Sequence, residues 1–181
     1  METGERVART LAELGENQKK WDEIFGLQWE SLKDCIDYLL WDLGRITGIV
    51  AAAWTVDLKD IREKLTGVAA DLLICDLRLI SCIPNPDRIF PNLESTLHSL
   101  HAQYSRSSSG SLKEIIKSTR SEMIIAQSAL NSYVGARGNL YIAHTSMVAS
   151  AAIIANMCMD NLESMYDKRL AELAREKKEL S

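Results

Sequence analysis

The chain has 181 residues, 46% hydrophobic and 25% charged, and a formal net charge of -4. That mix excludes a disordered chain and a disulfide-stapled one, and the length is enough for one domain with a core. An acidic chain of mixed sign also lacks the clustered Lys and Arg that sequence-independent nucleic-acid binding requires.

The chain opens on METGERVART, which is polar and charged and has no apolar leader, so an intracellular, cytoplasmic protein is expected. Thr3 is a candidate cap for the first helix. Val7, Leu11, Leu14, Trp21, Phe25 and Leu32 then share one helical face, with Gln18 and Gln28 in the same stripe. Leu32, Ile36, Leu39, Leu43, Ile46 and Val50 follow at heptad spacing, the pattern of helices packed nearly parallel or antiparallel, as in coiled coils. Gly26, Gly44 and Gly48 interrupt these helices as candidate kinks or close contacts. The stretch Ile46 to Val56 is apolar all round but falls short of the ~20 residues a spanning helix needs.

Asp57 can cap a new helix, since an aspartate oxygen accepts a free first-turn N–H. Beyond it Leu58, Ile61, Leu65, Val68, Leu72, Cys75, Leu79 and Cys82 keep a three-four alternation. All three prolines fall between Pro84 and Pro91, so a break is expected there, with a hinge over 84–92. Leu93, Leu97, Leu100 and Tyr104 form the next amphipathic helix, which a serine-rich loop at 105–111 should end. Ser111 and Glu114 make a capping box for another helix, whose stripe runs Leu112, Ile116, Thr119, Met123, Ala126, Leu130 and Tyr133. The glycines Gly135 and Gly138 then argue for a tight helix–helix turn, although the stripe continues in phase through Leu140, His144, Met147, Ala151, Ile154 and Cys158.

From Gly138 to Met159 there is no Asp, Glu, Lys or Arg. The stretch has the length of a membrane span, but Asn139, His144, Thr145, Ser146, Ser150 and Asn156 interrupt it. Its alanines and serines allow two helix backbones to approach closely, which suits the middle of a bundle or an interface between copies. Ala143, Ser146, Ala149, Ser150 and Ile153 are the candidate helix-contact residues. A charged helix over 160–180 closes the chain, with Lys168–Glu172 and Arg175–Glu179 at i, i+4 spacing. Its LAELAREKKE echoes LAELGENQKK near the start, so the two terminal helices are expected to be similarly exposed and to lie side by side beyond the main bundle.

Strand signals are absent throughout, and the expected fold is all-α: a single domain of four to six long amphipathic helices with the break at 84–91. Cys35, Cys75, Cys82 and Cys158 form no Cys-x-x-Cys pair and sit in apolar helical patterns, so they read as core residues rather than metal ligands. Glu94, His98 and His101 share a helix face that can bind zinc or iron, but they also suit a polar flank beside the Leu93–Leu97–Leu100 stripe. Of Trp21, Trp29, Trp41 and Trp54, most should anchor the core, while one left exposed would suit a partner surface.

Glu13 and Glu16, followed after a spacer by Asp34 and Asp37, place carboxylates at i, i+3 on two helices. This resembles the metal-binding pattern of the all-α, MazG-like nucleotide pyrophosphatases, within residues 5 to 65. The resemblance implies a Mg²⁺-dependent hydrolase with those four carboxylates as ligands. The chain departs from the pattern at Asp34, where the family has Glu, and no flanking nucleotide-binding residues match. Metal-protease, phosphate-loop and nucleophile-elbow motifs are missing, so an enzyme is not the favoured reading and no cofactor is expected. The leading expectation is a helical interaction or assembly protein that self-associates through 138–159, with a homo-oligomer or another helical protein as partner. A lipid-contacting protein using segments 46–56 and 138–159 is the second, and the Mg²⁺-dependent pyrophosphatase the third.

Overall fold

The computed structural model describes residues 9–27, 38, 41, 42, 44–46, 48, 49, 51, 52, 58–81, 86–106, 151, 154, 155 and 159–179. These residues are all-α, and no strand occurs among them. The helices described from end to end are α1 (Leu11–Phe25), α2 (Leu58–Ser81), α3 (Phe90–Arg106) and α4 (Leu162–Glu179). Short 3-10 turns at Pro86–Arg88 and Met159–Asn161 lead into α3 and α4.

Local chemistry sets the ends of α1. Residues 9 and 10 are not helical, and the cap is Thr10: its Oγ1 accepts from the Glu13 N–H at 3.2 Å, while the Glu13 carboxylate accepts from the Thr10 N–H at 2.7 Å. The expected start at Thr3 is therefore corrected to Leu11, and Thr3 itself lies outside the described residues. Gly26 ends the helix at φ 63°, a left-handed conformation that glycine adopts without strain. There the Leu27 N–H donates to the Asp22 carbonyl and the Gly26 N–H to that of Glu23. The stripe read from Leu11 toward Leu32 thus breaks after Phe25.

Helix α2 begins at Leu58, where the sequence places a start, and is the most buried element described. Its first half is amphipathic: Ile61, Leu65 and Val68 are buried, and Arg62, Glu63 and Lys64 are exposed. From Val68 to Ile80 every residue except the half-buried Asp71 is buried. The predicted stripe names only one side of this segment. Ala69, Leu73, Leu77 and Ile80 are buried as well, so neighbours cover every face. Both α1 and α4 pack on α2, and α3 packs on α1.

The expected hinge of 84–92 overlaps the start of α3, and residues 82–85 lie outside the described residues. Helix α3 starts at Phe90, with Pro91 in its first turn, where the missing N–H is no loss because no carbonyl there awaits it. The helix runs through Arg106, into the stretch expected to be a serine loop, and 107–111 lie outside the described residues. Leu93 and Leu97 are buried, in line with their stripe.

The terminal helices are tied together by side chains and run in the same direction. Arg9 bonds Glu163 and Asp167 at 2.7 and 2.6 Å, the Tyr166 hydroxyl donates to the Leu14 carbonyl at 3.2 Å, and the Lys177 ammonium donates to the Phe25 carbonyl. They lie side by side as the echo suggests, but within the core and not beyond it: Leu11, Leu14, Tyr166 and Leu170 are all buried. On the outer face Lys168 and Glu172 are 4.0 Å apart, whereas Arg175 and Glu179 form no pair. Of the uncharged stretch 138–159, Ala151, Ile154, Ala155 and Met159 are described; the first three are buried in the chain's own core and Met159 packs against it partly buried. No helix among the described residues is long and apolar enough to cross a membrane.

Tyr166 is fully buried, and its polar tip is held by a network that spans three helices. The hydroxyl lies 3.2 Å from both the Leu14 carbonyl and Gln18 Oε1, and accepts from Asn17 Nδ2 at 3.3 Å. Gln18 Nε2 donates to Asp22 at 2.9 Å, and Asp22 takes both arms of the Arg78 guanidinium at 2.8 and 2.5 Å. Burial pushes the Tyr166 pKa up to about 12.

Two stability measurements check this packing. A Cβ built on Gly15 meets Phe90 Cζ at 2.5 Å, whereas one on Gly67 meets nothing within 4 Å. In urea unfolding, Gly67→Ala should stabilise by up to about 1 kcal/mol through helix propensity. Gly15→Ala should instead destabilise by about 1–3 kcal/mol through overpacking, and shifts of the same sign in both would refute the tight α1–α3 contact. Tyr166→Phe should cost about 1–3 kcal/mol, because Gln18 and the Leu14 carbonyl stay buried without the hydroxyl. An unchanged midpoint would show the network to be dispensable.

Candidate functional site

A helix buried on all sides must pair its charged residues. Asp71 of α2 is clamped from two directions: Arg169 of α4 donates through Nε at 2.5 Å, and Arg45 donates through Nη1 at 2.5 Å. Arg169 also reaches Glu172 and Glu176, both at 3.3 Å. Arg45 is one of the helical residues described between 38 and 52, of which Asp42, Ile46 and Ile49 turn inward at i, i+4, i+7 while Tyr38, Trp41 and Gly48 face out. The sequence reading assigned that inward face to hydrophobic residues and missed Asp42, whose side chain is only 3% exposed.

Asp42 is held by the same Arg45 Nη1 at 3.0 Å and accepts from the Cys75 thiol at 3.5 Å. Its carboxyl pKa is raised from 3.8 to about 6. Burial is the main cause and the neighbouring Asp71 charge the second; together they outweigh the opposing pull of Arg45. Burial also pushes the Cys75 thiol up, so Cys75 stays a protonated core residue, as its apolar pattern implied.

Above this network lies a groove of about 570 Å³, between the 38–52 stretch, α2 and α4. Ile49, Ala52, Ile61 and Val68 form apolar wall, and Gly48 and Gly67 leave open space. Arg45, Lys64, Arg169, Asp71 and Glu172 supply its charges. The volume falls within the ~300–1,000 Å³ typical of small-molecule sites.

A second cavity of about 420 Å³ lies where α1, α3 and the start of α4 meet. Glu94 and His98, from the predicted three-residue face, line it together with Arg9, Asp160 and Glu163. His101 serves a different purpose: its Nδ1 lies 3.1 Å from the Ala155 carbonyl and its Nε2 2.9 Å from Asp160, joining α3 to the segment before α4. No group of three or more His, Cys, Asp or Glu able to hold a metal occurs among the described residues.

The remaining candidates separate clearly. Glu13 is occupied in the α1 cap and Glu16 is exposed, while Asp34 and Asp37 lie outside the described residues. Ala143, Ser146, Ala149, Ser150 and Ile153 also lie outside them. Of the tryptophans, Trp21 packs against the core and stacks on Phe25 with centroids 4.4 Å apart, and Trp29 and Trp54 are not among the described residues. Trp41 is 61% exposed, next to Tyr38 at 51%, and the Arg45 guanidinium lies over its ring, 5.0 Å from the centroid. Comparison with known family models, curated proteins and solved structures gives no match in any of the three.

The raised carboxyl of Asp42 makes stability depend on pH. The folded protein holds this proton up to about pH 6, whereas the unfolded chain releases it near the ordinary 3.8. Between those values the folded state binds more protons, so stability falls as pH rises and levels off above 6. The loss is on the order of 3 kcal/mol. Asp42→Asn cannot ionise, so urea unfolding at pH 4.5 and 7.5 should show the variant gaining on the wild type at the higher pH. A wild-type-minus-variant difference that does not change with pH would rule this out.

Proposed function

We propose that the chain is a helical interaction and assembly protein that self-associates. The observation that carries this reading is the outward face Tyr38–Trp41–Arg45. A tryptophan three-fifths exposed, with a guanidinium stacked on it and a tyrosine one turn away, has the composition that dominates binding energy in protein interfaces. Elsewhere in the described chain, large side chains are mostly buried; among hydrophobic ones only Ile24, Tyr38 and Trp41 are strongly exposed.

Self-association is supported by the pattern of the uncharged stretch. Ala151, Ile154 and Ala155 are used by the chain's own core. At about 100° per residue, Ser146, Ala149, Ser150 and Ile153 fall on the other side of a helical wheel. Three of these four, Ser146, Ala149 and Ser150, are small, and small residues suit close approach of a second helix. The lipid-contacting and pyrophosphatase readings have less support: the described part of 138–159 is inside the protein, and Glu13 is already committed to its cap.

Light scattering over a range of concentrations tests the proposal. The mass should rise with concentration, and Trp41→Ala should weaken association more than tenfold, as loss of a hot-spot residue of about 2 kcal/mol does. A strict monomer at the highest concentration overturns self-association. An oligomer unaffected by Trp41→Ala removes Trp41 from the interface.

A further inference from the structure

The groove above Asp71 shares Arg45 with the proposed interface, but its other lining residues lie apart from the Tyr38–Trp41 face. We propose that it binds a small amphipathic carboxylate, the head group at Lys64 and Arg45 and the hydrocarbon along Ile49 and Ala52.

Charge is the first argument. Three cations and two carboxylates line the groove, and both carboxylates are already bonded to guanidiniums: Asp71 to Arg45 and Arg169, Glu172 to Arg169. Lys64 is exposed and makes no hydrogen bond or ion pair with any described residue. Asp42 and Glu176 are likewise bonded to Arg45 and Arg169, so the nearby carboxylates are all engaged and Lys64 is the cation left to meet an anion.

The geometry of Arg45 selects the class of anion. Its bonds to Asp42 and Asp71 both use Nη1, and its flat face lies over Trp41. The Nε and Nη2 donors make no hydrogen bond with any described residue. That pair forms the planar fork that matches a carboxylate with two parallel bonds. Because Nη1 is anchored, the fork needs little further ordering on binding.

The third argument is space. Gly48 and Gly67 both lie in helix, where glycine costs about 1 kcal/mol relative to alanine. Neither is needed to let a neighbour approach, since an added Cβ at either would meet nothing within 4 Å. Both line the groove, so what the two glycines provide there is room between apolar walls.

Calorimetric titration with octanoate, below its micellar concentration, tests the assignment. Octanol carries a similar tail without the charge, and acetate the charge without the tail. Octanoate should bind saturably and at least tenfold more tightly than either. Gly67→Leu, whose Cβ meets nothing within 4 Å and whose side chain enters the groove, should abolish binding while retaining the helical circular dichroism. Lys64→Gln should weaken it about tenfold and reduce its salt dependence. The proposal is overturned by the absence of saturable octanoate binding, by octanol or acetate binding equally well, or by either variant binding like the wild type.

Discussion

The arrangement depends on one constraint: α2 is buried from Val68 to Ile80, yet this stretch contains Asp71, Asp76 and Arg78. Removing a partner from a buried pair is expensive, by about 3–5 kcal/mol, because the charge left behind has no solvent. Each pair therefore ties α2 to a particular neighbour. Arg78 points to Asp22 of α1, while Asp71 faces Arg169 of α4 and Arg45 of the 38–52 stretch. Apolar contacts supply the attraction between these helices but are tolerant of sliding and rotation. The ion pairs are not tolerant, so they specify which helix covers which face. The Gln18–Tyr166 bond extends the Arg78–Asp22 pair to α4, and α1, α2 and α4 are locked by one connected set of polar groups.

This explains which parts of the fold were legible in the sequence. Helix identity followed from periodicity and proline placement, and the start at Leu58 from Asp57 as a candidate cap. The buried side chains Ile61, Leu65, Val68, Leu72, Cys75 and Leu79 all lie on the predicted stripe. What the stripe could not reveal is that the opposite face is buried too. The apolar run LLICDLRLI was a visible signal, but Asp76 and Arg78 within it broke the charge-free criterion that drew attention to 138–159. For Arg78 the criterion fails because burial forbids unpaired charge, not charge, and its partner Asp22 is distant in sequence. The cap at Thr10 was legible in principle, since Thr10 and Glu13 have capping-box spacing. The Thr3 reading passed over it in favour of a longer stripe through Val7.

Much the same holds for the candidate site. An exposed tryptophan was anticipated without saying which; the inward turn of Asp42 and Ile46 places Trp41 outside. The groove had no local signature, because its walls come from three separate segments and its two glycines, Gly48 and Gly67, look in sequence like ordinary helix weak points. Gly15 shows the ambiguity from the other side. It is also a helical glycine, but there the missing side chain admits the Phe90 ring. Composition gives the same letter to a close contact and an open space, and only tertiary structure separates them.

Arg45 draws these features together, and the physics of Asp42 explains why it can. A single guanidinium nitrogen serves two carboxylates, of which Asp71 has a second cation in Arg169 and Asp42 has none. Asp42 is thus under-compensated for its burial, and its carboxyl is raised to about 6 in consequence. An apolar residue at 42 would avoid that cost, but it would leave Arg45 with one anchor instead of two. Two anchors at Nη1 fix the plane of the guanidinium, which leaves one flat face on Trp41 and one donor edge without a bond. A long cation held in this way loses little rotamer freedom when something binds to it, whether a partner at the tryptophan or an anion in the groove. The stability given up at Asp42 and the order gained at the surface are therefore consequences of the same contact.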